Sequence, residues 1–397
     1  MRYWPPILIA AALLIFSCAA EDPSVPSGGD QTEVRRFYPE KGILHDLAFL
    51  SWDAEKIREA SEADMIIFPV ACCFSPDALD IIAELKRLNP HTVILGKHTI
   101  LGVNPLWPDT NRLKLTRPYE IDYYETVEDD WSYTTAGDTL MLWSDIIFLK
   151  PVINGELNRP LITDLLDLMQ QYQIEFGNVL DGVVYDYLMH SLYINYAIRD
   201  RVEGEPDLDS DGIPFEDDPD EAGYLIEWQR EYINEMRNRF GDDFILVANG
   251  PLPQNNAEIA GLLNGLFFEA FPNNNRGYTD REGLLRLLRF QEEGYLRKAR
   301  GRTWTIVTNN DGGQNNLFCC IASMLAGCFY TELHGSSAFE GWTLDITAGT
   351  PRGEYTMEGD IDGVLWVKRR FSRGEARISF IQIGARWIVK FEEDSML

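Results

Sequence analysis

Residues 181–186 read Asp-Gly-Val-Val-Tyr-Asp, a short apolar run that begins and ends with a carboxylate. A continuous apolar run of this length, without polar alternation, is typical of a strand that is buried on both faces of a sheet. A helical pattern precedes it at residues 160–172, and another follows it at 224–240. A strand between two helices is the repeating unit of a parallel sheet that is covered by helices.

The same unit recurs along most of the chain. Seven further apolar runs have strand character, and helical patterns separate most of them. These predicted strands lie at residues 46–52, 64–70, 92–98, 243–249, 265–271, 303–309 and 329–334. Eight such units predict an α/β fold, the (β/α)8 TIM barrel. A doubly wound open sheet is the alternative, and the absence of GxGxxG and GxxxxGK[ST] loops from the sequence disfavours it.

The barrel does not account for the whole chain. We assign it to residues 41–345, with a long loop rich in Trp, Tyr and Asp at 102–142 and an acidic insertion at 203–221. Residues 346–397 contain runs that alternate polar and apolar side chains in the β manner. This pattern predicts a small antiparallel β addition at the C-terminus.

The N-terminus predicts export. Arg2 precedes a ten-residue apolar run at 7–16, which is too short to span a bilayer and suits the core of a signal peptide. The Ile-Phe-Ser-Cys that ends this region resembles the bacterial lipobox. That resemblance implies a signal peptide at 1–17 and lipidation of Cys18, with residues 18–40 as a flexible tether to the membrane, on the periplasmic or cell-surface side. An ordinary secretion signal cut at the following alanines is the alternative.

Charge and cysteine content restrict the partners. The 397 residues include 63 acidic and 35 basic side chains, which gives a net charge of −28. Such a surface repels phosphate backbones, so we expect no nucleic-acid partner. The six cysteines follow neither a disulfide-scaffold pattern nor a zinc spacing. Apart from Cys18 we expect buried free thiols, with one disulfide as the alternative.

Two carboxylates close predicted strands. In a barrel, the residues that act on a substrate lie at the C-terminal ends of the strands. Asp186 follows Val-Val-Tyr, and Glu269 follows Leu-Phe-Phe. Hydrolysis of a glycosidic bond needs one carboxyl group as an acid and a second as a base or nucleophile. We therefore predict that Asp186 and Glu269 form a catalytic pair, although each alone is also explained as a helix cap or an ion-pair partner.

Other side chains at the strand ends are candidate substrate contacts. Aromatic rings can stack on sugar faces, and amide, ammonium and imidazole groups can bind sugar hydroxyls. The predicted substrate-binding residues are Lys97, His98, Tyr185, Tyr187, Asn249, Phe271, Asn309 and His334. Structural roles in the core or in loops explain the histidines and asparagines equally well.

Three segments resemble a known group of proteins. DGVVYDY at residues 181–187, GLFFE at 265–269 and VKRRFSRG at 367–374 are similar to bacterial (β/α)8 barrels described as hypothetical glycosyl hydrolases. That group is distantly akin to endo-α-1,4-polygalactosaminidases. The resemblance covers roughly residues 40–390. It implies a carbohydrate-cleaving barrel with the two carboxylates in the acid/base and nucleophile positions, without deciding which is which.

The acidic insertion carries the pattern of a calcium loop. Residues 207–212 read Asp-Leu-Asp-Ser-Asp-Gly, and a further Asp occupies the twelfth position. Calcium favours oxygen ligands at positions 1, 3, 5, 7 and 12 of such a loop, with Gly at position 6. The loop resembles the thrombospondin type-3 and dockerin loops. The predicted ligands are Asp207, Asp209, Asp211, Ile213 (through its carbonyl) and Asp218. A solvated acidic loop without an ion is the alternative.

These features together predict a glycoside hydrolase that acts on a polysaccharide or oligosaccharide. Calcium would be structural, and we expect no organic cofactor. A non-catalytic surface glycan-binding protein on the same scaffold is the alternative. A sulfatase or phosphoesterase is disfavoured, because no metal-ligand cluster accompanies the two carboxylates.

Overall fold

The computed structural model describes residues 40–44, 52–103, 117–142, 146–192, 202–269, 271, 280–309, 314–333, 350–359, 364–383 and 386–390. The predicted signal peptide, Cys18 and His334 therefore lie outside the described residues.

Eight parallel strands close into a barrel. They are β1 (Glu40–Leu44), β2 (Met65–Pro69), β3 (Val93–Thr99), β4 (Gly182–Asp186), β5 (Ile245–Asn249), β6 (Gly265–Phe268), β7 (Ile306–Asn309) and β8 (Phe329–Leu333). Each strand pairs in parallel with the next along the chain, and β8 pairs with β1 to complete the ring. This closure confirms the (β/α)8 prediction and excludes the open sheet.

Helices surround the barrel and follow its strands. They are α1 (Ala54–Ala60), α2 (Val70–Cys73), α3 (Pro76–Leu88), α4 (Pro118–Val127), α5 (Arg159–Glu175), α6 (Pro219–Phe240), α7 (Pro251–Asn255), α8 (Ala257–Leu262), α9 (Asp280–Glu292) and α10 (Gln314–Ala326). Local sequence explains their starts. In α3, for example, Ser75 accepts a hydrogen bond from the amide of Ala78, and Pro76 occupies the first turn.

The loops contain short antiparallel strands, which form one three-stranded sheet and two pairs. Gly102–Val103, Met141–Leu142 and Ile146–Phe148 form one small sheet, Tyr133–Thr134 pairs with Pro206–Asp207, and Val152–Ile153 pairs with Glu156–Leu157. The pairing of Tyr133–Thr134 with Pro206–Asp207 connects the start of the acidic insertion to the long loop after β3.

The barrel strands separate two apolar layers. Leu95, Val184, Val247 and Phe267 belong to the cluster that fills the barrel interior. Their neighbours one residue away, such as Val183 and Leu266, pack outward against the helices. Because side chains alternate between the two faces of a strand, this parity decides which rim residues point into the barrel mouth.

A four-stranded antiparallel sheet follows the barrel. Its strands are β9 (Thr356–Glu358), β10 (Val364–Phe371), β11 (Gly374–Ile383) and β12 (Arg386–Lys390), in that order. Arg369 of β10 donates from Nη1 to the carbonyl of Met324 in α10, at 3.2 Å. The predicted C-terminal β addition is therefore confirmed, and it is attached to the last barrel helix.

Two predicted boundaries are corrected. The first barrel strand is β1 at Glu40–Leu44, upstream of the run at 46–52 that we expected and at the end of the expected tether. The sequence pattern did not predict this strand, because it starts with the carboxylate of Glu40 and contains Gly42, so it is not a continuous apolar run. The expected loop at 102–142 contains α4, which begins at Pro118, a residue favoured in the first turn of a helix.

Cysteine chemistry in the described residues matches the prediction. Cys72, Cys73, Cys319, Cys320 and Cys328 are all buried, and none forms a disulfide. Burial raises the pKa of Cys72 to about 11, so its thiol stays protonated near neutral pH. Among the helices in the described ranges, none combines the length and apolar character needed to cross a bilayer.

Candidate active site

Four polar side chains meet at the mouth of the barrel. Lys97, Asp186, Asn249 and Glu269 lie at the ends of the neighbouring strands β3, β4, β5 and β6. Each follows an interior core residue by two positions, so each continues the inward-facing row of its strand. The fold therefore brings the two predicted catalytic carboxylates together, with a lysine and an asparagine beside them.

One amide group holds both carboxylates. Nδ2 of Asn249 donates to Oδ1 of Asp186 at 2.9 Å and to Oε2 of Glu269 at 2.7 Å. The two carboxylate oxygens therefore lie no further apart than the sum of these distances, about 5.6 Å. In glycosidases that retain anomeric configuration the two carboxyl groups are about 5–5.5 Å apart, whereas inverting enzymes have about 6.5–9.5 Å. The bound of about 5.6 Å lies near the shorter of these two separations and below the longer one.

Lys97 makes the two carboxylates unequal. Its Nζ lies 3.4 Å from Oδ2 of Asp186, and the two side chains are 23% and 15% exposed. The ammonium group therefore forms an ion pair with this partly buried carboxylate. Asp186 thus has a cation beside it in addition to the amide that it shares with Glu269.

The backbone around the site is held in unusual conformations. The amide of Leu188 donates to the carbonyl of Asn249 at 3.0 Å, which joins the segments that follow β4 and β5. Gly250 has φ of 139°, and a Cβ there would lie 2.2 Å from the carbonyl oxygen of Leu188. Tyr187 has φ of 64°, and its amide donates to Oδ1 of Asp186 at 3.1 Å. Such strain is commonly found at functional sites.

A cavity of about 330 Å³ opens beside Asp186. Its walls include Lys97 and Tyr187 from the rim, and Tyr119 and Glu120 from α4. The volume lies within the range of small-molecule pockets, about 300–1,000 Å³. Helix α4, which the sequence analysis missed, thus supplies one wall of the candidate binding site.

Two buried side chains of this cavity, Glu120 and His98, each leave one polar atom without a hydrogen-bond partner in the described structure. Oε1 of Glu120 accepts from Arg117 at 3.2 Å, whereas its Oε2 has no partner, and burial raises the pKa of Glu120. Nε2 of His98 lies 3.3 Å from the hydroxyl of Tyr119, whereas its Nδ1 has no partner. A pocket with such groups suits a ligand that carries several hydroxyls.

His98 predicts a measurable pH dependence of stability. Burial lowers its pKa from 6.5 to about 4, because the charged imidazolium is poorly solvated there. As pH falls from 6.5 towards 4, the unfolded chain takes up a proton that the native protein does not, so stability is lost in that window. We expect the wild type to lose about 2 kcal/mol more than His98→Gln between pH 7 and pH 4.5.

Urea unfolding at the two pH values measures this difference. His91→Gln is the matched control, because His91 is exposed and precedes the same strand. It should keep the pH dependence of the wild type. An equal loss of stability in wild type and His98→Gln would show that the buried imidazole does not resist protonation.

Asn249 is expected to position both carboxylates. Asn249→Ala removes the donor that both carboxyl groups share, so their positions are no longer fixed relative to each other. A misplacement of this kind lowers kcat by roughly 100-fold, while KM changes little because the cavity walls remain. Steady-state kinetics on a substrate that the protein turns over measure both constants. Asn238→Ala, at an exposed position of α6, is the control, and a wild-type kcat in Asn249→Ala would contradict this role.

The structure places the other predicted contacts differently. Tyr187 is half-buried at the cavity wall, but Tyr185 is fully buried and packs at 5.4 Å between ring centroids on Tyr232 of α6. Phe271 is also buried, against Phe318. The structure therefore does not bring Tyr185 and Phe271 to the site, because both rings face the helix layer.

Two predicted contacts are not described as side chains. Asn309 ends β7, which places its backbone at the same edge of the barrel as the site. Its side chain and His334 lie outside the described part of the structure. Their predicted contacts with a substrate stay predictions.

The acidic insertion forms a compact loop beside α6. Oδ2 of Asp207 accepts from the amide of Gly212 at 2.9 Å, and Oδ1 of Asp211 accepts from the amide of Ile213 at 2.7 Å. Oxygens of Asp209, Asp211 and Asp218 lie within 4.8 Å of one another. Asp218 also caps α6, which therefore starts five residues earlier than the sequence pattern at Tyr224 indicated.

No protein-family model matches the chain, and no curated protein sequence matches it. Similar solved structures include a debranching enzyme of Nostoc punctiforme soaked with acarbose, with TM-score 0.45, 8% identity, and coverage of 83% of this chain and 78% of that chain. The PgaB (BpsB) glycoside hydrolase domain of Bordetella bronchiseptica has TM-score 0.40 and 11% identity, over 75% and 94% of the two chains. A pyruvate kinase of Cryptosporidium parvum has TM-score 0.36 and 10% identity, over 77% and 66%.

Proposed function

We propose that this chain is a glycosidase that cleaves a polysaccharide or oligosaccharide with retention of anomeric configuration. The observation that carries the proposal is the contact of one amide, Asn249 Nδ2, with both Asp186 and Glu269. It keeps one oxygen of each carboxyl group within about 5.6 Å of the other, which is below the separation of inverting enzymes and compatible with double displacement. Their place at the C-terminal rim of a barrel is where such chemistry is found in this fold.

The charges around the pair support different roles for its members. Lys97 forms an ion pair with Asp186, which places a positive charge beside the carboxylate that we assign as the nucleophile. Asp186 then attacks the anomeric carbon, and Glu269, acting as the general acid, gives a proton to the departing oxygen. In the second step the Glu269 carboxylate takes a proton from water, and this water displaces Asp186 from the sugar.

The cavity beside Asp186 supports a sugar subsite. Tyr119 and Tyr187 form part of its walls, and the carboxyl oxygen of Glu120 can accept from a sugar hydroxyl. Because Asp186 lines this cavity, a ring bound there lies next to the proposed nucleophile. Specificity between sugars then depends on α4, which carries Tyr119 and Glu120.

A panel of soluble glycans tests the proposal. The panel includes α- and β-glucans, galactans and polymers of amino sugars, and released reducing ends are measured for the purified chain. We expect release from at least one polymer. Absence of release from every polymer would contradict the proposal, and so would release that Glu269→Gln leaves unchanged.

A glycan-binding protein without turnover is the second candidate. The ion pair between Lys97 and Asp186 favours it, because a carboxylate engaged in such a pair is also explained as a structural group. Affinity electrophoresis on the same polymers separates the two candidates. A polymer that retards the wild type, Asp186→Asn and Glu269→Gln equally and is never cleaved identifies the binding protein.

Export and lipid anchoring complete the proposal for the full chain. Support comes from the apolar run at 7–16 and from the lipobox-like residues that end at Cys18. Metabolic labelling with an alkyne fatty acid tests the anchor in a bacterial host. We expect label in the wild type and none in Cys18→Ser, and label that persists in the variant would contradict lipidation at this residue.

A further inference from the structure

Glu221 is a fully buried carboxylate that the sequence pattern did not single out. It lies in the first turn of α6, three positions beyond the expected last residue of the calcium loop. Its side chain is 0% exposed. Oε1 accepts from the amide of Asp209 at 2.8 Å and from the amide of Leu208, whereas Oε2 has no hydrogen-bond partner in the described structure.

This carboxylate points into the acidic loop. One oxygen from each of Asp207, Asp209 and Glu221 lies within 4.8 Å of the other two. Asp207 is only 3% exposed, so two of these three carboxylates are removed from water. Close, buried carboxylates repel one another and lose hydration, and a divalent cation between them offsets both costs.

The second acidic group lies next to the first and shares Asp209 with it. Asp209, Asp211 and Asp218 provide oxygens within 4.8 Å of one another on the more exposed side of the loop. The two groups together place five carboxylates around one loop. Calcium takes six to eight oxygen ligands in flexible geometry, whereas magnesium demands a small octahedral site and keeps several waters. The donor set therefore fits calcium better than magnesium.

We propose that residues 207–221 bind one Ca²⁺ and that Glu221 is one of its ligands, in addition to the aspartates of the loop. In this arrangement Glu221 takes the part that the acidic residue at position 12 has in related loops. Asp218 caps the start of α6 and contributes from the exposed side. The ion thereby fastens the first turn of α6 to the insertion.

Helix α6, whose first turn lies at the proposed ion site, also contacts the segment that follows β4 at the rim of the barrel. Gln229 of α6 donates from Nε2 to the carbonyl of Met189 at 2.7 Å and accepts from its amide at 2.9 Å. Met189 lies three residues beyond Asp186. An ion that orders the start of α6 therefore stabilises the helix against which the segment after β4 rests.

Thermal unfolding of the full chain with calcium and with a chelator tests the site without reference to catalysis. We expect calcium to raise Tm of the wild type by several degrees, and magnesium at the same concentration to have little effect. Calorimetric titration should show one calcium per chain. Glu221→Gln keeps the shape and can still accept the two amide bonds, and it should bind calcium about tenfold more weakly or worse, because ligand charge sets affinity.

Asp217→Asn is the matched control, because it removes the same charge from an exposed position in the same loop. It should keep the affinity and the Tm shift of the wild type. A wild type without calcium binding overturns the proposal. Equal affinities in Glu221→Gln and Asp217→Asn overturn the role of Glu221. Neither result depends on glycan cleavage, so the outcome is independent of the proposed enzymatic function.

Discussion

Glu269→Gln should lower kcat on a natural glycan by about 10²–10⁴-fold, the range found when a proton-transfer group is removed, and Asp186→Asn should lower it at least as much because it removes the nucleophile. Both substitutions keep the shape of the side chain and its contact with the amide of Asn249, so the fold should be unchanged. Circular dichroism and thermal unfolding check that point. The loss then reports chemistry and not stability.

The two variants should differ on substrates with an activated leaving group. A dinitrophenyl glycoside needs no proton to depart, so loss of the acid costs little in the first step, whereas loss of the nucleophile still blocks it. With Glu269 as acid and Asp186 as nucleophile, only Glu269→Gln should form the glycosyl-enzyme at near wild-type rate. If only Asp186→Asn formed the glycosyl-enzyme at near wild-type rate, Asp186 would be the acid and Glu269 the nucleophile.

Glu62→Gln is the matched control for these variants. Glu62 is exposed and precedes β2, so it lies at the opposite end of the barrel from the rim. It removes one carboxylate without touching the site. Comparable losses in Glu62→Gln and Glu269→Gln would show that net charge, and not the rim pair, governs turnover.

Arg302→Leu should destabilise the protein by about 3–5 kcal/mol, the usual cost of removing one partner from a buried ion pair. Arg302 binds Glu40 through both nitrogens of its fork, and the two side chains are 11% and 2% exposed. Its guanidinium also stacks 4.1 Å from the ring centroid of Phe329. Since Glu40 and Phe329 face each other in β1 and β8, this cluster joins the first and last strands of the barrel.

Urea unfolding measures the loss, and a double variant isolates the pair. Arg302→Leu with Glu40→Leu should lose less than the sum of the two single variants, because no charge is then left buried without its partner. Arg87→Leu is the control, since the pair of Arg87 with Glu84 is exposed on α3 and exposed ion pairs contribute little to stability. If Arg302→Leu lost no more stability than Arg87→Leu, the role of this cluster in joining β1 to β8 would be contradicted.

The barrel is predictable from sequence because its interior strands are continuous apolar runs. Residues 181–186 and 265–271 are examples, and each leads to a rim carboxylate. The first strand was not predicted, because it begins with the charged Glu40, whose ion-pair partner Arg302 lies more than 260 positions away. The sequence around Glu40 gives no indication of a partner so distant in the chain.

The site was only partly predictable. Position at a strand end selected Asp186, Glu269 and Asn249, which the structure brings together. It also selected Tyr185, whose ring packs towards the helices. Strand parity explains this difference, because Tyr185 is adjacent to the inward-facing Asp186. Glu221 carries no motif signal, since its relation to the acidic loop appears only when α6 folds against it.

The configuration of the first sugar released is the measurement that tests the account most directly. Proton NMR, recorded before mutarotation, follows the new reducing end when the wild type cleaves a glycan from the panel. Carboxylates held within about 5.6 Å by Asn249 predict that the product keeps the anomeric configuration of the cleaved bond. A product of inverted configuration would contradict double displacement by Asp186 and Glu269.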